Sequence, residues 1–453
     1  MAMSLFSGGK SLVAVRGIHL DLKGLPPSSA RLPELLEIMA GAGINCVLVE
    51  WEDAYPWKTY PELRNRTAYS ERTVDAFLGK AEKLSIEVIP LVQSLGHLEN
   101  VLSRERFRHL RELDSNVAEL CPSRKGSAEL IISLVDDILS THGGRIKRFH
   151  LGGDEAEMMG SCRRCKKTVS ISGKASLYLR HVTPLLEHLK EKGIQPILWD
   201  DMMREWSLRE LRKLAGKTDL MVWWYSPEIP DKIKKAMTRF SRAGINIWGA
   251  SAFKGADGVT ADVPDMDFRT KNVLSWIDSC RENKLEGLMA TGWSRYNTFV
   301  VPCESIETSL DSLVLSAWAM QKGSLPPGSR KKAWDFLRSG RMKKLAGKRF
   351  FECRDAGAEL QRWRKESVEK LIYHWPYSAH LYGEKRRYNP LEGEKISRRI
   401  EDCLAAGRKA ADRWRRAHKG LVDGVWLEYY VESRLRPVKD YAGTLLEKLS
   451  SRT

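Results

Sequence analysis

No stretch of this 453-residue chain approaches the roughly 20 consecutive apolar residues that a membrane-spanning helix needs. The opening residues, MAMSLFSGGKSLVAVRG, hold no leader-like apolar segment of about 7–15 residues ahead of a small-residue cleavage site. The expectation is a cytoplasmic protein with no membrane partner. Cysteine is sparse and scattered, at 46, 121, 162, 165, 280, 303, 353 and 403. Several of these sit in apolar runs such as NCVLVEW and EDCLAAG, which is the pattern of reduced core thiols and not of a disulfide framework. One C-x-x-C is present, Cys162 and Cys165, but there is no second pair of the kind a zinc ribbon uses and no thioredoxin-like context. Arg163, Arg164, Lys166 and Lys167 flank it and would lower the thiol pKa values if exposed. The two cysteines read as structural thiols, ahead of a labile disulfide or a metal pair. Neither a metal site nor a cofactor is expected. Low-complexity segments are absent too.

Negative charge is scarce in the last quarter. Residues 331–453 carry 30 Lys and Arg against 17 Asp and Glu, an excess of 13, while residues 1–330 carry 45 against 41. Helices with basic solvent faces account for such an excess, and no nucleic-acid-binding motif accompanies it, so nucleic acid is not an expected partner.

What the chain does have is apolar runs at regular intervals. SLVAVRGIHLD, INCVLVEW, IEVIPLVQ, IKRFHLGG, IQPILWDD, DLMVWWYS, INIWGASA and EGLMATGW are short and often β-branched. Between them lie stretches with helical spacing, such as SAELIISLVDDILSTHGG. Four junctions, GAGIN, KLSIE, EKGIQ and RAGIN, repeat one device: a helix end, then Gly or Ser, then a strand opening on Ile. Eight strand–helix units predict an α/β fold, a (β/α)₈ barrel over residues 1–325. Past KGSLPPGS the strand runs stop, and residues 326–453 read as a basic, mostly helical C-terminal domain broken at YHWPYSAH.

Barrels of this kind do chemistry at the C-terminal ends of their strands. The run ends supply Glu50 and Trp51, Gln93 and then His97, Asp154 and Glu155, Trp199 with Asp200 and Asp201, Trp223 to Tyr225, Ser251 and Lys254, and Trp293 with Arg295 and Tyr296. Carboxylates, a histidine and several indoles at one mouth suit a sugar, whose C–H faces stack on aromatic rings while its hydroxyls need polar partners. Taken singly, each has a plainer reading: an aromatic at a strand end packs a rim, and His97 alone is a structural residue. Arg16 within an apolar strand needs a carboxylate or a ligand.

HLGGDE, residues 150–155, resembles the H-x-G-G-D-E signature of family 20 glycoside hydrolases, the exo-acting β-N-acetylhexosaminidases. RGIHLDLK (16–23), QSLGHLE (93–99) and LWDD (198–201) resemble other strand ends of that family. SAFKGA (251–256), TGWSRYN (291–297) and PCE (302–304) are similar to its hexosaminidase D branch. The likeness spans about residues 15–320. It implies release of a non-reducing terminal β-linked GlcNAc or GalNAc from a carbohydrate or glycoconjugate, with retained configuration.

In that family the substrate's own 2-acetamido oxygen is the nucleophile. The resemblance therefore implies Glu155 as general acid and base and Asp154 as the anion orienting the acetamido group, with Tyr225 as its hydroxyl partner and Tyr296 as second choice. It implies Arg16 gripping ring hydroxyls, His97 and His150 beside the acid, Trp199, Trp224 and Trp293 around the sugar, and Glu304 on an outer hydroxyl. Adjacent side chains on a regular strand face opposite ways, so the backbone has to leave strand geometry at or just before Asp154; Gly152 and Gly153 make that bend cheap. Strand alternation puts Trp223 and Tyr225 on one face and leaves the choice between Trp223 and Trp224 open. Two other classes stay open at this point: a non-catalytic sugar-binding barrel, and an interaction protein binding polyanions through the basic C-terminal domain. The helical region also allows a homodimer, and the GlcNAc or GalNAc preference is not readable.

Overall fold

The eight apolar runs form eight parallel strands that close in chain order into a barrel. This computed structural model describes residues 11–295, 300–374 and 390–450. The strands are β1 (Val15–Asp21), β2 (Cys46–Glu50), β3 (Glu87–Leu91), β4 (Arg148–His150), β5 (Gln195–Trp199), β6 (Asp219–Trp223), β7 (Ile247–Lys254) and β8 (Gly287–Gly292). The helices are α1 (Arg31–Ala42), α2 (Glu71–Lys83), α3 (Glu99–Leu102), α4 (Ser127–His142), α5 (Arg163–Glu191, interrupted at Gly173), α6 (Leu208–Leu211), α7 (Asp231–Arg242), α8 (Met266–Glu282) and α9 (Leu310–Lys322). Beyond them lie α10 (Ser329–Arg338), α11 (Met342–Leu345), α12 (Gly347–Glu369), α13 (Pro390–His418) and α14 (Gly424–Ser450). The YHWPYSAH break falls mostly outside the described residues. No described helix is long and apolar enough to cross a membrane.

The runs look continuously apolar because both faces of each strand are buried, yet the two faces feed different cores. Cys46, Leu48, Ile89, Leu91, Ile197, Met221, Trp248 and Met289 fill the barrel interior. Their neighbours Ile18, Leu20, Val47, Val49 and Val222 point outward into the layer shared with the helices. All four repeated junctions take the left-handed backbone expected of a helix C-terminus: Gly43 at φ 96°, Gly193 at 72°, Gly244 at 82°, and Ser85 at 54° in place of a glycine. In the register Asp21 pairs with Glu50 and Glu50 with Leu91, so the strand ends line up around one mouth.

The C-terminal helices continue that architecture. Ala333, Leu337, Met342 and Phe350 join the outer core of the barrel. From Cys353 on, a second core forms around Leu360, Trp363, Ile400, Trp414 and Tyr430. It leans on the loops of the mouth side. Buried Asp262, between β7 and α8, receives Arg434 Nε at 2.8 Å and the Tyr430 hydroxyl at 2.6 Å, and Arg364 pairs with it at 2.9 Å. Trp426 Nε1 donates to Thr67 Oγ1 at 2.7 Å across the β2–α2 loop. Part of the basic excess is thus used in internal ion pairs.

Candidate active site

Strand β4 ends at His150, and the chain then bends sharply: Gly152, Gly153 and Glu155 have φ of 58°, 85° and 47°. A Cβ on Gly153 would stand 2.5 Å from the Tyr178 hydroxyl, so only glycine fits this turn. A non-glycine residue at positive φ, as at Glu155, is strained and needs support from its surroundings. That support is a hydrogen bond from the Glu155 amide to Asp201 Oδ2 at 2.9 Å. The bend frees Asp154 and Glu155 from strand alternation, and both carboxylates reach one partner. His97 Nε2 lies 3.4 Å from Asp154 Oδ2 and 3.3 Å from Glu155 Oε2. His97 itself has φ 55°, and the chain just before it runs against the pair: a Cβ on Gly96 would lie 2.2 Å from the Asp154 carbonyl oxygen.

Charge in this cluster is tightly shared. Burial opposes a proton on His97, but Asp154 and then Glu155 outweigh it and hold the imidazole pKa well above its ordinary value. The same hydrogen bond from His97 lowers Glu155 against the effect of its partial burial. Asp201 is pushed up to about 7, by burial first and then by Asp154 and Asp200. Asp200 beside it is held by a fork from Arg204, at 2.7 and 2.9 Å.

Aromatic side chains form the wall opposite. Trp199 lies with its ring 4.4 Å from His150 and 6.0 Å from Trp293. Tyr225 stacks on Trp223 at 5.2 Å and meets Trp293 at 6.3 Å. Burial and the nearby charges of Asp154 and Glu155 raise the Tyr225 pKa, so its hydroxyl stays a neutral donor. At the β1 and β2 ends Lys23 Nζ binds Glu50 at 2.6 Å and lies 5.9 Å from the Trp293 ring centre. Asp21 Oδ2 accepts the amides of Ser294 at 2.8 Å and Arg295 at 3.2 Å, anchoring the segment that carries Trp293.

Asp154, Glu155, His97, Tyr225, Trp199 and Trp293 therefore come together as the strand-end argument predicts. Three residues do not. Arg16 sits near the start of β1, at the opposite end of the barrel, with the outward phase of Ile18 and Leu20. Its guanidinium binds the Gly43, Val13 and Ala14 carbonyls at 2.8, 2.9 and 3.1 Å, so it cannot grip a ligand at the mouth. Trp224 also faces outward: its Nε1 donates to the Glu228 carbonyl at 2.7 Å, and its own carbonyl accepts from Asn272 and Trp276. Trp223, one residue earlier, has the inward phase and stands in its place. Glu304 is a fully buried carboxyl that accepts the Gly255 amide at 2.7 Å, holding the end of β7.

His150 is the last residue of β4 and braces the bend. Its Nδ1 accepts the Gly152 amide at 3.0 Å, and burial lowers its pKa to about 3, so it is a neutral brace for the bend. Tyr296 lies outside the described residues. Glu50, Asp201 and Trp223 stand among the run ends in the sequence without an assigned role, and Lys23 is not picked out there at all. The signal for each was present, since all lie at strand ends, but choosing among them needs the phase of each strand.

Comparison with known proteins adds to this geometry. Residues 14–243 match the family model described as glycosyl hydrolase family 20, catalytic domain. The chain is 30% identical over 348 residues to hexosaminidase D of Bos taurus, covering 74% of this chain and 100% of that one. It is 32% identical over 344 residues to hexosaminidase D of Homo sapiens, covering 73% and 70%. In fold it is similar to the crystal structure of Flavobacterium johnsoniae chitobiase, with a TM-score of 0.56 at 15% identity over 98% of this chain and 73% of that one.

Proposed function

Because the chain belongs to glycosyl hydrolase family 20 and is a glycoside hydrolase, we propose that it removes non-reducing terminal β-linked GlcNAc or GalNAc with retention of configuration. The observation that carries this reading is the bend at Gly152 and Gly153, which gives adjacent Asp154 and Glu155 one shared partner, His97, opposite an aromatic wall.

In the proposed reaction the 2-acetamido oxygen attacks the anomeric carbon as the glycosidic bond breaks, and Glu155 gives its proton to the leaving oxygen. Asp154, buried beside the site, accepts from the acetamido N–H and balances the positive charge of the oxazolinium-like intermediate. Tyr225 donates to the acetamido oxygen, and Trp199, Trp223 and Trp293 stack on the sugar and exclude water. Glu155, now ionised, takes a proton from the water that opens the intermediate. In the free protein the proton rests on His97, so substrate binding has to return it to Glu155.

Turnover of aryl β-GlcNAc and β-GalNAc substrates by Glu155→Gln tests the assignment. We expect loss of activity in a protein that folds normally; near-wild-type turnover would falsify it. A thiazoline analogue of the intermediate should inhibit, and indifference to it argues for a carboxylate nucleophile. Comparing the two aryl glycosides side by side reads the preference at the 4-hydroxyl.

A further inference from the structure

The C-x-x-C pair lacks a second half in the sequence, but the fold supplies one. Cys121, from the long β3–α4 loop, lies with its Sγ 3.7 Å from Cys162 Sγ and 3.5 Å from Cys165 Sγ. Glu112, from the same loop, places Oε2 3.2 Å from Cys165 Sγ. The four ligand atoms all lie within 4.8 Å of one another. Three thiols and a carboxylate therefore point at one spot.

The sulfur–sulfur distances exclude a formed disulfide and match those around a tetrahedral metal. Four-coordinate zinc with Zn–S bonds of about 2.3 Å requires sulfurs about 3.75 Å apart, and a mixed sulfur–oxygen edge is slightly shorter. A disulfide joins two sulfurs at about 2.05 Å and would leave the third thiol beside the carboxylate. The second oxygen of Glu112 is already fixed: Oε1 accepts the Gly160 amide at 3.0 Å and the Cys162 amide at 2.9 Å. That leaves Oε2 turned to the sulfurs. Glu112 is only 2% exposed, and it is approached by the Gly160 and Cys162 amides and the Cys165 thiol. The amides fix the orientation of the carboxylate, and a divalent ion would give Oε2 and the three sulfurs one common cationic partner. The Cys165 amide donates to Cys162 Sγ at 3.4 Å, which sets the two sulfurs of the C-x-x-C at the first turn of α5.

We propose that Glu112, Cys121, Cys162 and Cys165 form a structural site for a thiophilic divalent cation of the zinc class. The four ligands would close a tetrahedron with no open position, so the ion has a holding role and no part in the chemistry. What it holds is specific. Cys162 lies seven residues after Glu155, and Glu112 and Cys121 lie on the loop that carries His97. The loop is tied inward, Leu120 N donating to the Leu95 carbonyl at 2.9 Å and Leu98 N to the Ala118 carbonyl at 3.0 Å. One ion would clamp the segment after Asp154 and Glu155 to the segment bearing their shared partner.

The test is metal analysis of the full-length protein purified without chelator or metal-affinity resin. About one zinc per chain is expected for a single four-ligand site, falling to near zero in a Cys162→Ser, Cys165→Ser double variant. Chelation should lower Tm, and added zinc should restore it. Cobalt(II) added to the chelated protein should give thiolate-to-metal charge-transfer absorption, weaker in Cys121→Ser. Should the cysteine variants fail to fold, Glu112→Gln keeps the shape and must change the cobalt spectrum. Protein that neither carries zinc nor takes up zinc or cobalt after reduction overturns the proposal. So does a cobalt spectrum that is the same in Glu112→Gln and Cys121→Ser as in the parent, or an intact mass showing a disulfide among these cysteines in freshly isolated material.

Discussion

His97 and Glu155 are bound to each other, Nε2 to Oε2 at 3.3 Å. The proton of this pair rests on the imidazole, because Asp154 and Glu155 overcome the effect of burial on His97, and His97 in turn lowers Glu155. In the proposed mechanism Glu155 needs that proton to act as the acid, so the form expected to be active is the pair with one proton in total. The alkaline limb of kcat/KM then falls where the last proton leaves, above the ordinary imidazole value of about 6.5. In His97→Gln the proton has only the Asp154 and Glu155 carboxyls to sit on, and a carboxyl titrates below the raised imidazole. The limb should move to lower pH in a kcat/KM profile on an aryl β-glycoside. An unmoved limb would mean that His97 does not hold the proton.

The same pair leaves a signature in stability. A raised folded-state pKa, as for His97, contributes stability that is complete below about 6.5 and is lost as pH rises through the folded-state value. A lowered one, as for Glu155, contributes above about 4.3 and is lost as pH falls through its folded-state value. Both act together between about 4.3 and 6.5. The Tm difference between the parent and His97→Gln should be largest in that window and shrink on either side. Thermal melts across pH read it directly, and a difference that does not vary with pH counts against the ion pair.

Asp201 holds the strained backbone at Glu155 through the 2.9 Å bond to its amide, and also accepts from Trp223 Nε1 at 3.3 Å. Removing a buried acceptor costs about 1–3 kcal/mol, or roughly 5- to 160-fold if the loss appears in positioning the acid. Asp201→Ala should lower kcat by that factor with little change in KM. Asp201→Asn keeps an oxygen acceptor and should recover most of the rate. Equal losses in the two variants would assign Asp201 a role through its charge.

Trp223 and Trp224 are neighbours with opposite duties. Trp223 stacks on Tyr225 at the mouth, whereas Trp224 packs outward beneath α8. Trp223→Ala should raise KM and lower kcat/KM at nearly unchanged Tm. Trp224→Ala should leave KM alone and destabilise the fold by up to about 3 kcal/mol, the low end for losing a packed indole. Kinetics and melts on both variants distinguish the faces, and the reverse pattern would invert the phase of β6.

Arg16 ties β1 to the α1–β2 turn at the closed end of the barrel through its bonds to Gly43, Val13 and Ala14. Arg16→Met should cost about 0.5–1.5 kcal/mol of stability, the net worth of an ordinary hydrogen bond, because the carbonyls it releases are part-buried or exposed and water can reach them. KM for the aryl substrates should not move. A large rise in KM would place the guanidinium at the sugar after all.

The sequence by itself determined what depends on neighbours along the chain. Eight apolar runs of strand length, the Gly or Ser before each of four Ile-led strands, and the two glycines ahead of Asp154 and Glu155 are local signals of period and turn, and the barrel and the bend after β4 follow from them. Tertiary structure decided what depends on closure. Whether Trp223 or Trp224 faces inward, and at which end of β1 Arg16 stands, is set by the phase and direction that each strand takes in the barrel, and a one-residue change of phase turns every side chain over. Only folding brings His97 across to the Asp154–Glu155 pair, or Glu112 and Cys121 to Cys162 and Cys165. Residues dozens of positions apart meet through the path of two loops, and no local pattern records that path.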